Sequence, residues 1–234
     1  MKNPFKWRHY LPEIIILCVR WYLRYPLSYR QLEEMMKERG LELDHTTIFR
    51  WIICYSPELE KQCRKHLKPV NCSYRIDETY IKVKKQWKYL YRAVDKEGQT
   101  IDFLLCAKRD SRAARRFFKK ILSEPKNPIP RVINVDKNPA YPMAVKAMKR
   151  EGLLPKRVKL RPVKYLNNII EQDHRFIKRQ VSPGLGFFSF DTAWATLRGY
   201  EAMHMIRKGR VKYVSKDDVL AQNKFVENLF GLNA

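Results

Sequence analysis

No segment of this chain is apolar for long enough to cross a bilayer. The longest uninterrupted apolar run in its first part, Ile14 to Val19, stops at Arg20, far short of the roughly 20 residues that a membrane-spanning helix needs. Lys2, Lys6 and Arg8 precede that run, yet no small-residue cleavage site follows it, so no secretory signal is expected and the cytoplasm is the expected location. Paired cysteines are missing too. Cys18, Cys54, Cys63, Cys72 and Cys106 are odd in number and form no C-x-x-C pair, which argues against a disulfide framework and against a zinc site. His9, His45, His66 and His204 are scattered and suggest no metal cluster. There is no long low-complexity tract of the kind that marks extensive disorder. With 45% hydrophobic and 12% aromatic residues, the chain has material for a packed core.

Acid is scarce beside base. Against 48 Lys and Arg stand 24 Asp and Glu, a formal net charge of +24. Residues 1–58 carry 9 of the bases and 7 of the acids, so nearly all of the excess lies beyond them. Such a field gives salt-dependent, sequence-independent affinity for a polyanion. It selects a class of partner without choosing among DNA, RNA and an anionic membrane. A length of 234 residues suits one medium domain and one small one.

The first segment reads as helices. Ile14, Leu17, Cys18, Trp21 and Tyr22 recur at helical spacing and end before Pro26. Ser28 can cap a second helix with Leu32, Met35 and Met36 on its apolar face, and Gly40 sits where a left-handed C-terminal residue is wanted. A third helix begins at Asp44, with Ile48, Trp51 and Ile52 inward and His45, Thr46, Thr47 and Arg50 free. Two short helices joined through Gly40 have the size of a helix-turn-helix, whose second helix enters the major groove; a plain three-helix bundle is the alternative. A further helix is expected to start at Ser56-Pro57-Glu58 and run to about Leu67. Pro69 to Cys72 mark a boundary, after which the periodicity alternates.

From Tyr74 to Val83 one strand face carries Asp77, Thr79, Ile81 and Val83, and the other Glu78, Tyr80 and Lys82. Trp87 to Val94 and Thr100 to Ala107 complete a meander. Then come a helix capped by Ser111, a strand at Arg131 to Asp136, a helix from Tyr141 to Gly152, a short strand at Arg157 to Val163, and helices at Asn167 to Gln180 and Phe190 to Gly209. The expected fold class is α/β, a mixed sheet covered by helices. The domains are read as 1–68, helical; 69–210, catalytic; and 211–234, a tail of unassigned role.

Asp77 is out of place on an apolar strand face, where an ionised carboxylate is costly without a cation or several donors. Asp136 ends a strand, where sites on mixed sheets often gather, and Glu171 lies early in a helix. Together they can hold hard divalent cations, which prefer oxygen ligands, and two such ions can promote phosphodiester displacement. Taken singly, each acid is better explained by an arginine partner, a turn cap or a solvated helix face.

Three strings decide the matter: Arg75-Ile76-Asp77-Glu78-Thr79-Tyr80, Asp136-Lys137-Asn138-Pro139-Ala140-Tyr141, and Tyr165 to His174, with 34 residues between Asp136 and Glu171. In order and spacing they resemble the acidic motifs of the cointegrate-forming IS-six family of insertion-sequence transposases. The resemblance covers about residues 3 to 210. It implies a ribonuclease-H-like core; Asp77, Asp136 and Glu171 as catalytic metal ligands for magnesium, or manganese in its place; and strand cleavage followed by strand transfer. It also implies terminal inverted repeats and target DNA as partners, and a homodimer or higher oligomer. A basic residue belongs at the position of Lys178, which is therefore the favoured catalytic DNA contact. His174 and Arg175, three and four residues after Glu171, share its helix face and join Lys178 as expected phosphate contacts, while His45, Thr46, Thr47 and Arg50 are the expected base readers. Asn138 departs from many relatives, which carry a small residue there. A DNA-binding regulator, a decayed transposase and a nuclease on the same core are the competing functions.

Overall fold

The computed structural model describes residues 4–5, 9–163 and 168–232. They fall into two compact units: the chain up to Leu67 together with Arg179 onward, and Lys68–Lys178 between them. Residues 179–210, expected in the catalytic domain, thus group with the N-terminal helices, as does the tail beyond them. Among the described residues no helix is long and apolar enough to cross a membrane.

The first unit is helical: α1 (Pro12–Arg24), α2 (Tyr29–Lys37), α3 (His45–Lys65), α7 (Phe190–Arg207) and α8 (Val219–Leu229). Ser28 caps α2 in a reciprocal box with Gln31, its hydroxyl accepting from the Gln31 amide while the Gln31 side chain accepts from the Ser28 amide. Gly40 takes φ +73°, the left-handed geometry that ends the helix and turns the chain toward α3. Asp44 caps α3 through the Thr46 amide. The expected break at Ser56-Pro57 is absent, for α3 runs through Pro57 without interruption. An internal proline forfeits one helical hydrogen bond and crowds the preceding turn. Packing outweighs that loss: Tyr55, Ser56, Leu59 and Cys63 around it are buried, and Arg198 of α7 donates to the Pro57 carbonyl oxygen. Glu60, 5% exposed, accepts from Arg64 Nε and Arg198 Nε, each at 2.6 Å. At the same interface Gly199 lets α7 approach closely. A Cβ there would lie 2.5 Å from Ser56 Oγ and 2.7 Å from Leu23 Cδ2.

The second unit holds a five-stranded sheet of order β3-β2-β1-β4-β5, formed by β1 (Ser73–Val83), β2 (Gln86–Asp95), β3 (Thr100–Cys106), β4 (Val132–Val135) and β5 (Lys159–Pro162). β1, β2 and β3 are antiparallel neighbours, whereas β4 and β5 run parallel to β1. This mixed order fits the core that the motif resemblance implies. α4 (Ser111–Ser123), α5 (Ala140–Arg150) and α6 (Asn168–Val181) complete the elements. α4 is capped by Asp110, through the Ala113 amide, rather than by Ser111; an aspartate one residue earlier supplies the stronger acceptor. Its Ala113, Phe117 and Ile121 join Tyr141 and Met148 of α5 against Tyr74, Ile76 and Tyr91 in one apolar core.

β1 and β2 are joined by the two-residue turn Lys84-Lys85, closed by the Val83 and Gln86 pair. Both lysines have positive φ, 49° and 62°. Such primed turns match strand twist but favour Asn and Gly, so each lysine bears a conformational cost of about 1 kcal/mol.

Candidate active site

Strand register brings the first two acids together. β1 and β4 are parallel with Arg75 opposite Asn134, and continuing that pairing by two residues sets Asp136, just beyond the end of β4, beside Asp77. Glu171 lies in the first turn of α6. The three carboxylates line one recess together with Arg109, Lys137, Asn138 and Pro139. A second recess adjoins at Asp77 and Glu171, walled by Thr79, Tyr80, Asn168, Gln172, His174, Arg175 and Lys178. The acids therefore stand where two clefts meet. Every donor in the triad is a carboxylate oxygen, which suits a hard divalent cation better than zinc or copper.

Electrostatics point the same way. Asp77 is 17% exposed, and its pKa is pushed from 3.8 to about 7 by burial first, then by the charges of Asp136 and Glu171, with Arg109 and Lys178 opposing. Crowded carboxylates resist simultaneous ionisation unless a cation joins them. His174 gives no such relief. Burial, with Arg92 and Lys178 nearby, takes its pKa from 6.5 down to about 3 despite the pull of Asp173, so the ring is neutral at physiological pH. Its Nδ1 lies 3.9 Å from Asp77, beyond hydrogen-bond reach.

α6 is anchored to the sheet by charge. Arg92 on β2, fully buried, meets Asp173 at 2.8 Å, fixing the helix that carries Glu171. Glu78 leaves β1 on the opposite sheet face, yet its carboxylate lies within 4.8 Å of those of Asp77 and Asp136, where it forms a knot that strand periodicity did not predict. Strand alternation assigns it to the solvated, lysine-bearing face, yet its side chain is 1% exposed. The reason is that α5 covers this face as far as Glu78 and leaves it open only from Tyr80 onward. Glu78 accepts from the Tyr141 hydroxyl, from Arg109 Nε and, at 3.3 Å, from Asn138 Nδ2. Arg109 in turn donates through Nη2 to Asp136 Oδ2 at 2.8 Å. Asp136 Oδ1 accepts from the Asn138 amide, and Asn138 Oδ1 from the Ala140 amide, both at 3.0 Å. Glu78 and Arg109 are thus positioning residues for Asp136. Asn138 is compatible with this arrangement because it bonds to both sides of the turn.

The expected DNA contacts differ in setting. Arg175 and Lys178 are exposed on the wall of the second recess, while His174 is 5% exposed and turned toward the acids. On the first unit, Thr46 and Arg50 are exposed and Thr47 is half-buried. His45 is bonded through Nδ1 to Glu33 of α2 at 3.0 Å. Glu33, Asp44 and His45 bring ligand atoms within 4.8 Å of one another, but their bonds are those of a cap and a helix pair. Of the third motif, residues 165–167 lie outside the described residues.

A family model described as a DDE domain matches residues 71–210. The transposase for insertion sequence-like element IS431mec of Staphylococcus aureus (strain Mu50 / ATCC 700699) is 38% identical over 211 residues, covering 88% of this chain and 89% of that protein. The transposase for element IS257 in transposon Tn4003 of Staphylococcus aureus is 37% identical with the same coverage. Among solved structures, the HTLV-2 integrase catalytic core domain in complex with magnesium is 18% identical, covering 64% of this chain and 94% of that one with a TM-score of 0.45. With a DDE-domain model matching residues 71–210 and transposases 37–38% identical over 88% of the chain, the chain belongs to the IS-six family of DDE insertion-sequence transposases, enzymes of DNA strand cleavage and strand transfer.

Proposed function

We propose that this transposase binds the terminal inverted repeats of its element and that Asp77, Asp136 and Glu171 hold two magnesium ions, with manganese as a substitute. The observation that carries this reading is that Asp77, Asp136 and Glu171 line one recess at the junction of two clefts, Asp77 and Asp136 close together and Asp77 held far from its ordinary acidity. When bound, such ions supply an activated attacking oxygen and a stabilised leaving oxygen. The protein's own part is placement. Water attacks a phosphorus at the element end and the 3′-oxygen leaves; that 3′-hydroxyl then attacks a target phosphodiester, so one P–O bond forms as another breaks in each step. Lys178 and Arg175 draw the backbone along the second cleft as point charge and fork, respectively. Neutral His174 fills the space behind Asp77 without competing for its charge.

Recognition falls to α2 and α3 acting as a helix-turn-helix, with Thr46, Thr47 and Arg50 toward bases and His45 fixing the two helices through Glu33. A homodimer or larger assembly would bring two element ends together. The test is nicking of a plasmid that carries the terminal inverted repeats, against one that lacks them, with and without Mg²⁺. Cleavage confined to the first plasmid and to added metal is the expected result. Metal-independent cleavage, or equal cleavage of both plasmids, would defeat the proposal.

A further inference from the structure

Beyond the acids, β1 continues into a feature that neither the triad nor the helical unit uses. Tyr80 and Trp87 are 47% and 60% exposed, and with Tyr89 they form a cluster, the Tyr80 ring lying 5.5 Å from Tyr89 and 6.3 Å from Trp87. Cross-strand pairing of Tyr80 with Tyr89 and of Lys82 with Trp87 puts all four on one sheet face, and Lys82 Nζ lies 6.0 Å from the Trp87 centroid. It is the face that α5 covers at Glu78 and leaves bare afterwards. At the tip, Lys84 and Lys85 hold a left-handed backbone that asparagine or glycine would adopt without strain. Strain retained at a loop tip, in exchange for two ammonium groups, points to use rather than to stability.

From this we infer that the β1–β2 hairpin is a second DNA contact, a platform on which an unpaired base about three nucleotides from the cleaved phosphate stacks. The inference rests on the proposed DNA strand transfer. Its occupant follows from the chemistry of the patch. Exposed rings interleaved with lysines suit a partner that is both flat and anionic, and single-stranded nucleic acid offers base faces for stacking and phosphates for the ammonium groups. A paired duplex hides its base faces within its own stack, so the base on the platform is an unpaired one. Tyr80 lies three residues from Asp77 along β1, about 10 Å at strand rise but on the other sheet face, so the path from the acids to the rings passes round the edge of β1 that β4 no longer pairs with beyond Arg75 and takes at least about three stacked nucleotides. Tyr80 also walls the cleft that holds Lys178 and Arg175, so a strand leaving the acids along that cleft arrives at the rings.

The experiment uses the full chain with Ca²⁺ and a duplex of about 20 base pairs, either blunt or carrying about five unpaired thymidines at one 3′ end. Trp87→Ala is expected to lower affinity for the tailed duplex by roughly 5- to 150-fold, the range for loss of one stacked base, and to change blunt-duplex affinity by less than about twofold. Trp87→Phe should keep most of the preference for the tail, and Trp87→Leu, apolar but without a π face, should lose it. A 2-aminopurine in the tail should be quenched on binding the native protein and not Trp87→Ala. Lys84→Ala with Lys85→Ala should reduce the salt slope on the tailed probe by about 1.4, two single-strand phosphates. Equal losses on blunt and tailed probes would make the hairpin a duplex-backbone contact and overturn the inference, as would no loss on either. Failure of the native chain to bind either probe would instead overturn the DNA reading on which the inference stands. Because Trp87 is solvent-exposed, an unchanged unfolding midpoint should accompany each substitution there.

Discussion

Asp77→Asn should stabilise the metal-free protein, and by an amount that depends on pH. Raising a carboxyl from 3.8 to about 7 means that folding disfavours its ionised form by about 4 kcal/mol, at about 1.4 kcal/mol per pH unit. Water in the adjoining clefts screens part of this, leaving about 2–4 kcal/mol. The sign follows from linkage. Because the folded pKa lies above the unfolded one, the penalty is absent below about 3.8, grows between 3.8 and 7, and is complete above 7. Asparagine has nearly the same shape and no charge, so at pH 8 the variant escapes the whole penalty, and near pH 4 it escapes less than about 1 kcal/mol. For a chain of this size 1 kcal/mol corresponds to roughly 2–4 °C, so the unfolding transition of the chain should rise by about 5–15 °C at pH 8 and hardly at all at pH 4. Differential scanning calorimetry in EDTA measures both. Mg²⁺ should then raise the native midpoint at pH 8 more than that of the variant, since a bound ion stabilises only the state that binds it. Equal gains at the two pH values, or a loss at pH 8, would refute the view that crowded negative charge governs this site.

Three further outcomes are expected. Glu171→Gln and Asp136→Asn should abolish strand transfer while end binding by electrophoretic shift stays within about twofold; full activity in either would remove that acid from the site, and Ca²⁺ should support binding better than turnover because of its larger, looser shell. Lys178→Ala should reduce strand transfer with any flanking sequence and lower the salt slope of binding by about one phosphate contact, with Lys178→Arg restoring much of it; an unchanged slope would return Lys178 to the solvated surface. Gly199→Ala should destabilise the helical unit by about 1–3 kcal/mol, overpacking against Ser56 and Leu23 exceeding the gain of about 1 kcal/mol in helix propensity; a stabilised variant by urea denaturation would show that the contact relaxes freely.

What was legible from sequence was local. Alternation placed β1, β2 and β3, and a capping residue with an apolar face placed α2 and α4 to within a residue or two. Asp77, Asp136 and Glu171 stood out because a carboxylate on an apolar face and one at a strand end are each unusual, and their order and spacing fitted one family. The misses share a cause, which is packing between segments distant in the chain. Of the stripe Ile14, Leu17, Cys18, Trp21 and Tyr22 on α1, only Cys18 and Tyr22 are buried, and Ile15, Val19 and Leu23 beside it are buried too, because the helix is apolar on more than one face and its partners decide which turns in. Pro57 looked like a helix start until α7 was seen to pack beside it. Glu78 looked solvated because strand periodicity says nothing about where a covering helix stops. Arg109 carried no signal at all: a lone arginine in a loop becomes informative only when Glu78 and Asp136 are found at either end of its guanidinium.

The order in which the helical unit becomes available on the ribosome follows from its two-part construction. α1, α2 and α3 are made first, but the buried faces of Ser56 and Leu23 await Gly199, and Glu60 awaits Arg198. All of Lys68–Lys178 must be synthesised in between, a wait on the order of 5–20 s at typical elongation rates. During that interval the nascent chain exposes an unfinished apolar surface, whereas the sheet and its acids lie in one continuous stretch that can close on itself. A message broken after that stretch would therefore yield a closed sheet with its acids beside α1, α2 and α3 that still lack Arg198 and Gly199.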